Sequence, residues 1–148
     1  VRLLVDTNIL LRASQPDSPL FETCVRAVEA LPAAGYTGFL VPQVVYEYWV
    51  VATRPADVNG LAFSVEQTTL EVARLATLLP LLPDDRGVFE QWQALVTRYG
   101  VAGKNAHDAR LVAAMQRHRL THLLTLNADD FARYDEVRVL SPAELAAG

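Results

Sequence analysis

Arg2-Leu3-Leu4-Val5-Asp6-Thr7-Asn8 is the stretch from which the rest of the chain is read. Leu3, Leu4 and Val5 form a short unbroken apolar run, the pattern of a central parallel strand buried on both faces. Asp6 falls at the carboxyl end of that strand. In open α/β sheets, ligands and catalytic groups collect at that edge. A strand-ending Asp is also an ordinary turn residue, so Asp6 needs acidic partners before it can be read as a site.

Working outward, strands and helices alternate. The first strand covers about 2–6. Leu20, Cys24, Ala27, Val28 and Leu31 recur at helical spacing, predicting a helix from Ser18 to Leu31 with Ser18 as N-cap and Pro19 in first position. Gly38 to Val41 reads as a second strand, and Gln43 to Thr53 as a helix that stops before Pro55. Ser64 caps a helix to about Leu79, with Val65, Leu70, Ala73 and Leu75 as its inward face and Glu66 and Glu71 outward. Leu81-Leu82 reads as a strand between two prolines. Helices follow from Asp84 to Gly100 and from Asn105 to His118. His122 to Leu126 and Val137 to Leu140 complete the strands. This alternation predicts an α/β fold: a three-layer α/β/α sandwich around a mostly parallel sheet of about five strands with right-handed crossovers.

The 148 residues suit a single domain spanning 1–148. The longest apolar run, Val44 to Ala52, is interrupted by Glu47 and is far short of a bilayer span, so no membrane association is expected. A strand at the first residues leaves no signal peptide to read, and Cys24 as sole cysteine reads as a buried small hydrophobe. These features together predict a cytoplasmic protein. The net charge of −4 argues against a protein that coats nucleic acid through a basic surface, yet allows nucleic acid as a substrate.

Three further acidic positions stand out. Glu47 is the one charge in Val44 to Ala52, and its helical neighbours Val44, Val50 and Val51 are apolar. A carboxylate there is costly unless paired with an arginine, placed at the rim or liganded. Asp108 has Leu111 and Val112 at i+3 and i+4, so it faces partly inward; as an acid near a helix start it also complements the helix dipole. His107 beside it reads as polar surface. In Asn127-Ala128-Asp129-Asp130, Asn127 sits at another strand's carboxyl end, with Asn127 as a possible N-cap and Asp130 in a capping-box position.

Converging carboxylates repel one another, and hard divalent cations such as Mg²⁺ or Mn²⁺ relieve that repulsion while retaining waters. Such sites acidify water and support in-line displacement at phosphorus. No GxxxxGK[ST] loop, GxGxxG fingerprint or GxSxG elbow is present, so the acids are the chemistry on offer.

In ordered combination these residues resemble the PIN-domain family, and within it the VapC-type toxin branch: Asp6-Thr7-Asn8 after the first strand, Glu47 on an apolar helix, His107-Asp108-Ala109, then Thr125-x-Asn127-x-x-Asp130-Phe131. The resemblance implies a Mg²⁺- or Mn²⁺-dependent endoribonuclease, neutralised by a cognate VapB-like antitoxin and dimeric. It implies Asp6, Glu47 and Asp108 as the acidic metal-site triad and Asn127, Asp129 or Asp130 in the fourth slot, with Asp130 counted among the catalytic acids. Thr7, Asn8 and Thr125 then orient Asp6 from behind. Lys104, Arg110, Arg117 and Arg119 are candidates for holding the RNA backbone, and Tyr46, Tyr48 and Trp49 for receiving an antitoxin segment. The alternative is a PIN-fold binding module whose acids serve partner contact or metal-stabilised folding. A receiver-like or phosphatase domain fits poorly, because Asp6 stands alone at its strand and no lysine follows Lys104.

Overall fold

The structure, a computed structural model, describes residues 1–147. Strand β1 (Arg2–Val5) lies between β2 (Thr37–Phe39) and β3 (His122–Leu124), and β4 (Arg138–Leu140) pairs beyond β3. All pairings are parallel; Leu4 sits between Phe39 and Leu123, and Val5 opposite Leu124. Leu3, Leu4 and Val5 are fully buried, as the unbroken apolar run requires.

The sheet has four strands rather than about five. Leu81-Leu82 contributes one isolated parallel bridge from Leu81 to Leu40, held by Leu40 N–H to Pro80 O (2.9 Å) and Leu82 N–H to Leu40 O (2.8 Å). Pro80 and Pro83 lack the N–H groups that a longer ladder needs.

From β1 the chain crosses one way to β2. From β3 it crosses the other way to β4. Right-handed crossovers therefore put the connections on opposite faces, and a crevice opens between the carboxyl ends of β1 and β3. Asp6 follows β1, and Thr125 to Asn127 follow β3, so the topology alone brings these two segments together.

Helix α1 (Thr7–Arg12), to which the sequence pattern assigned no element, starts directly at Asp6. Helix α2 (Phe21–Ala30) begins later than expected: Ser18 Oγ accepts from Leu20 N–H at 3.2 Å in a preceding turn and does not cap the helix. Helix α3 (Pro42–Thr53) carries proline at its start. Helix α4 (Val65–Leu78) is capped by Ser64, whose hydroxyl accepts from Gln67 N–H at 3.0 Å. Its buried face is not the expected one. Thr68 and Leu75 are buried with Leu79, while Val65, Leu70 and Ala73 are exposed and Glu71 is half-buried against Arg74. The stripe Thr68, Val72, Leu75, Leu79 has helical spacing, and the Thr68 hydroxyl donates to Ser64 O (2.7 Å), so a threonine can be buried there cheaply.

Helix α5 (Arg86–Tyr99) is capped by Asp85 and ends at Gly100, which adopts the left-handed conformation. It packs on α6 (Asn105–Arg117), and the Trp92 indole N–H donates to Ala106 O at 2.9 Å between them. Helix α7 (Pro142–Ala146) opens with a Ser141/Glu144 capping box and packs against α2. Cys24 is buried. No described helix is long and apolar enough to cross a membrane.

Candidate active site at the carboxyl ends of the central strands

A cleft of about 440 Å³ opens above β1 and β3. Asp6, Glu47, Asp108, Asn127 and Asp130 line it together with Thr7 and Asn8; Leu11, Val51, Leu111 and Phe131 add apolar wall. Residues separated by more than a hundred positions thus share one pocket, delivered by a strand end, two helices and a short turn.

Asp6 is the buried anchor, only 6% exposed. Its Oδ1 accepts from Thr7 N–H at 2.7 Å. Its Oδ2 accepts from the Thr125 hydroxyl at 2.8 Å and more weakly from Asn8 Nδ2 at 3.4 Å. Thr125 Oγ in turn accepts from Asn8 Nδ2 and from Asn127 N–H, both at 3.1 Å, and Asn8 Oδ1 accepts from Leu126 N–H at 3.1 Å. The two strand ends are laced together around one carboxylate.

Burial pushes the Asp6 carboxyl up to about 6. The hydrogen bonds from Thr125 and Thr7 oppose that rise, and the charges of Glu47 and Asp108 add to it. Burial also raises Asp108, with Asp130 and then Glu47 reinforcing it, while His107 and Arg133 pull it down. The acids therefore feel one another.

Glu47 is half-buried, and among the described residues no arginine pairs with it. The Thr7 hydroxyl donates to its Oε2 at 3.2 Å, sharing itself with Val44 O, and Gln43 Nε2 donates to its Oε1 at 3.0 Å. Both donors stabilise a carboxylate without neutralising it. Asp108 stands in the first turn of α6.

The fourth slot narrows on geometry. Residues Ala128–Phe131 form a 3₁₀ turn, in which positions three apart share a side. Asn127 and Asp130 both line the cleft, whereas Asp129 is exposed outside it. The expected capping box is absent, since the Asn127 side chain makes no capping bond.

The basic residues expected at the mouth lie elsewhere. Arg110 pairs with Asp84 at 3.1 Å in a neighbouring groove with Phe89 and Trp92, and Arg117 pairs with Asp85 at 2.7 Å. Neither lines the acidic cleft, nor do Lys104 and Arg119. Arg133, overlooked in the sequence, is the arginine whose charge reaches Asp108. Of the three aromatic residues on α3, Tyr46 is exposed at the cleft, Trp49 is half-buried, and Tyr48 is in the core with its hydroxyl 2.9 Å from Ser14 Oγ.

The fold and cleft define an α/β domain with an oxygen-rich acidic site at a topological switch point. The chain belongs to the PIN domain family, whose model matches residues 3–137. A comparison with curated proteins gave no match. Among solved structures, VapBC2 from Rickettsia felis, bound to a promoter DNA fragment, superposes with a TM-score of 0.67 at 15% identity, covering 95% of this chain and 98% of that one. FitAcB from Neisseria gonorrhoeae gives 0.66 at 21% identity over 95% and 97%. VapC20 from Mycobacterium tuberculosis, described as a sarcin-ricin loop cleaving toxin, gives 0.64 at 17% identity over 88% and 93%. At these identities the likeness establishes the fold.

Proposed function

We propose that this chain is a divalent-metal-dependent endoribonuclease of the VapC type, the toxin of a toxin–antitoxin pair. The observation that carries the reading is the convergence of Asp6, Glu47, Asp108 and Asp130 on one cleft, with Asp6 raised to about 6 by its setting. Family membership and the structural likeness to toxin–antitoxin proteins support it.

The residues present fit a hard cation. Every polar group in the set offers oxygen, and bound positive charge would offset the mutual repulsion of the acids. Among the described residues, no three acidic, histidine or cysteine groups are already gathered around one point. Mg²⁺ is commonly held by one or two carboxylates plus waters and phosphate oxygens, so it does not require such a gathering. Asp6, Asp108 and Glu47 would hold the ion, directly or through its waters, with Asn127 and Asp130 lining the same cleft. When bound it supplies Lewis acidity toward a phosphodiester and a more acidic water.

The chain's own contribution is orientation and an apolar surround. Thr125, Thr7 and Asn8 aim the Asp6 oxygens, Thr7 also aims Glu47, and Leu11, Leu111 and Phe131 give the cleft apolar wall beside the acids. The exposed Tyr46 and Val50 beside the acids offer an apolar landing surface for a segment of a VapB-like antitoxin, and a homodimer is the expected assembly.

A second reading, a PIN-fold binding module without turnover, is favoured by one observation: among the described residues no three of the acids are gathered around one point. Calorimetric titration with Mn²⁺ beside a cleavage assay on total cellular RNA separates the two. The nuclease reading expects Mn²⁺ binding, RNA cleavage abolished by EDTA, and loss of both in Asp6→Ala with the fold retained by circular dichroism. Mn²⁺ binding with no cleavage of any RNA would transfer the assignment to the binding module.

A further inference from the structure

Gln43 is buried, only 6% exposed, and is not among the residues that line the cleft. It is one turn before Glu47 on α3. Its single amide nitrogen donates twice: to Glu47 Oε1 at 3.0 Å, and to the backbone carbonyl of His107 at 2.9 Å, the residue before Asp108. One side chain therefore ties the Glu47 carboxylate to the first turn of α6. Thr7 does the corresponding work on the other side, donating to Glu47 Oε2 while flanking Asp6. Together the two donors link the three segments that carry Asp6, Glu47 and Asp108.

The rest of the amide is poorly served. Gln43 Oε1 is buried and has no hydrogen-bond partner among the described residues. An unmatched buried acceptor is costly, and an apolar side chain of equal length would avoid that cost. What glutamine offers here is the pair of N–H donors, aimed at two different elements. Methionine would fill the same space and donate to neither.

We propose that Gln43 is a positioning residue: it sets the separation between Glu47 and Asp108 by bracing the Glu47 carboxylate against the α6 backbone, so that both acids can serve one divalent cation. This rests on the metal-site reading above. Gln43 does not line the cleft, so its effect reaches substrate only through the acids it holds. Partners of this kind, bonded to a ligand rather than to the metal, typically change metal affinity by about 10- to 100-fold when removed.

The test compares wild type with Gln43→Met, using Mn²⁺ alone as the calorimetric probe and thermal melts with and without Mn²⁺. The expected result is an Mn²⁺ affinity lower by about 10-fold or more and a smaller Mn²⁺-induced rise in melting temperature. In the cleavage assay at saturating Mn²⁺, kcat should fall while KM for RNA stays within about two-fold, since no RNA contact is lost. Gln43→Asn, which keeps the amide but is one methylene too short to span both partners, should show the same loss and serves if the methionine variant fails to fold. A variant that melts lower without metal yet binds Mn²⁺ as tightly as wild type would overturn the inference and leave Gln43 a packing residue. Wild type that binds no Mn²⁺ would overturn the metal-site reading and the inference with it.

Discussion

The Thr125 hydroxyl donates to Asp6 Oδ2 at 2.8 Å, joining the carboxyl ends of β3 and β1 across 119 positions of sequence. The same oxygen accepts from Asn8 Nδ2 and from Asn127 N–H. It is a three-way junction at the base of the cleft, itself buried. Sheet topology brings the two strand ends together; this hydroxyl fixes which oxygen of Asp6 is held and which direction the carboxylate faces.

Thr125→Val keeps the shape and removes the junction. Two donors lose their acceptor, and Asp6 loses its strongest side-chain partner. Unfolding free energy should drop by about 2 kcal/mol, read from denaturant titration. Mn²⁺ affinity should drop by about 10-fold in the same protein. Thr125→Ser should preserve most of both, and equal damage from serine and valine would show that the methyl group rather than the hydroxyl matters.

Asp6 carries a pH signature whose sign can be worked out. Its folded pKa of about 6 lies above the ordinary 3.8, so between those values the folded state binds more protons than the unfolded one. This group's contribution is therefore neutral below the lower value. It turns unfavourable as pH rises through the window and reaches about 3 kcal/mol of lost stability by pH 7. Asp6→Asn removes that penalty. At pH 7.5 without metal the variant should melt several degrees above wild type, and the gap should close toward pH 4. Mn²⁺ should raise the wild-type melting temperature and leave the variant's unchanged. A gap that persists unaltered at pH 4 would place its origin outside Asp6 ionisation.

The 3₁₀ turn separates Asp130 from Asp129, and mutagenesis should separate them too. Asp130→Asn removes a charge that raises Asp108 and lines the cleft. Its kcat should fall by about 10-fold or more, within the range for losing a group that acts only in the transition state. Asp129→Asn alters an exposed residue outside the cleft and should leave kcat within about two-fold of wild type, since surface substitutions of this kind are nearly silent. Asn127→Asp, adding a fifth acid to the four that line the cleft, should tighten Mn²⁺ binding in calorimetry.

How much of this was legible in the sequence follows from what each signal depends on. Leu3-Leu4-Val5 and Asp6 were readable because a doubly buried strand leaves an unbroken apolar run and the residue after it must sit at the sheet edge. Glu47 was readable because one charge interrupts an apolar helix. Helix α1 escaped because six residues are too few to show a helical period. The inward face of α4 was misread because Leu70 and Val65 look like core while Thr68 does not, and only the local Thr68–Ser64 bond makes the threonine the better buried residue. Gln43 gave no signal at all: its importance lies in reaching His107 O, a backbone atom 64 positions away. Arg110 and Arg117 were misplaced for the same reason, since their partners Asp84 and Asp85 come from a different element.

That misplacement yields the last test. Arg133 is exposed and its charge lowers the Asp108 pKa, so on the nuclease reading it is a candidate contact for a phosphate of the RNA. A phosphate contact contributes to KM and to salt dependence rather than to the chemical step. Arg133→Gln should raise KM for RNA by about 3- to 10-fold and lower the slope of log affinity against log salt by about one. Arg110→Gln and Arg117→Gln should leave KM near wild type. Each breaks a partly exposed ion pair with a residue that precedes α5, so stability should change little. Steady-state cleavage of one defined RNA at several salt concentrations reads all three variants. If Arg110→Gln changes the salt slope and Arg133→Gln does not, the RNA path runs across the Phe89–Trp92 groove that Arg110 shares.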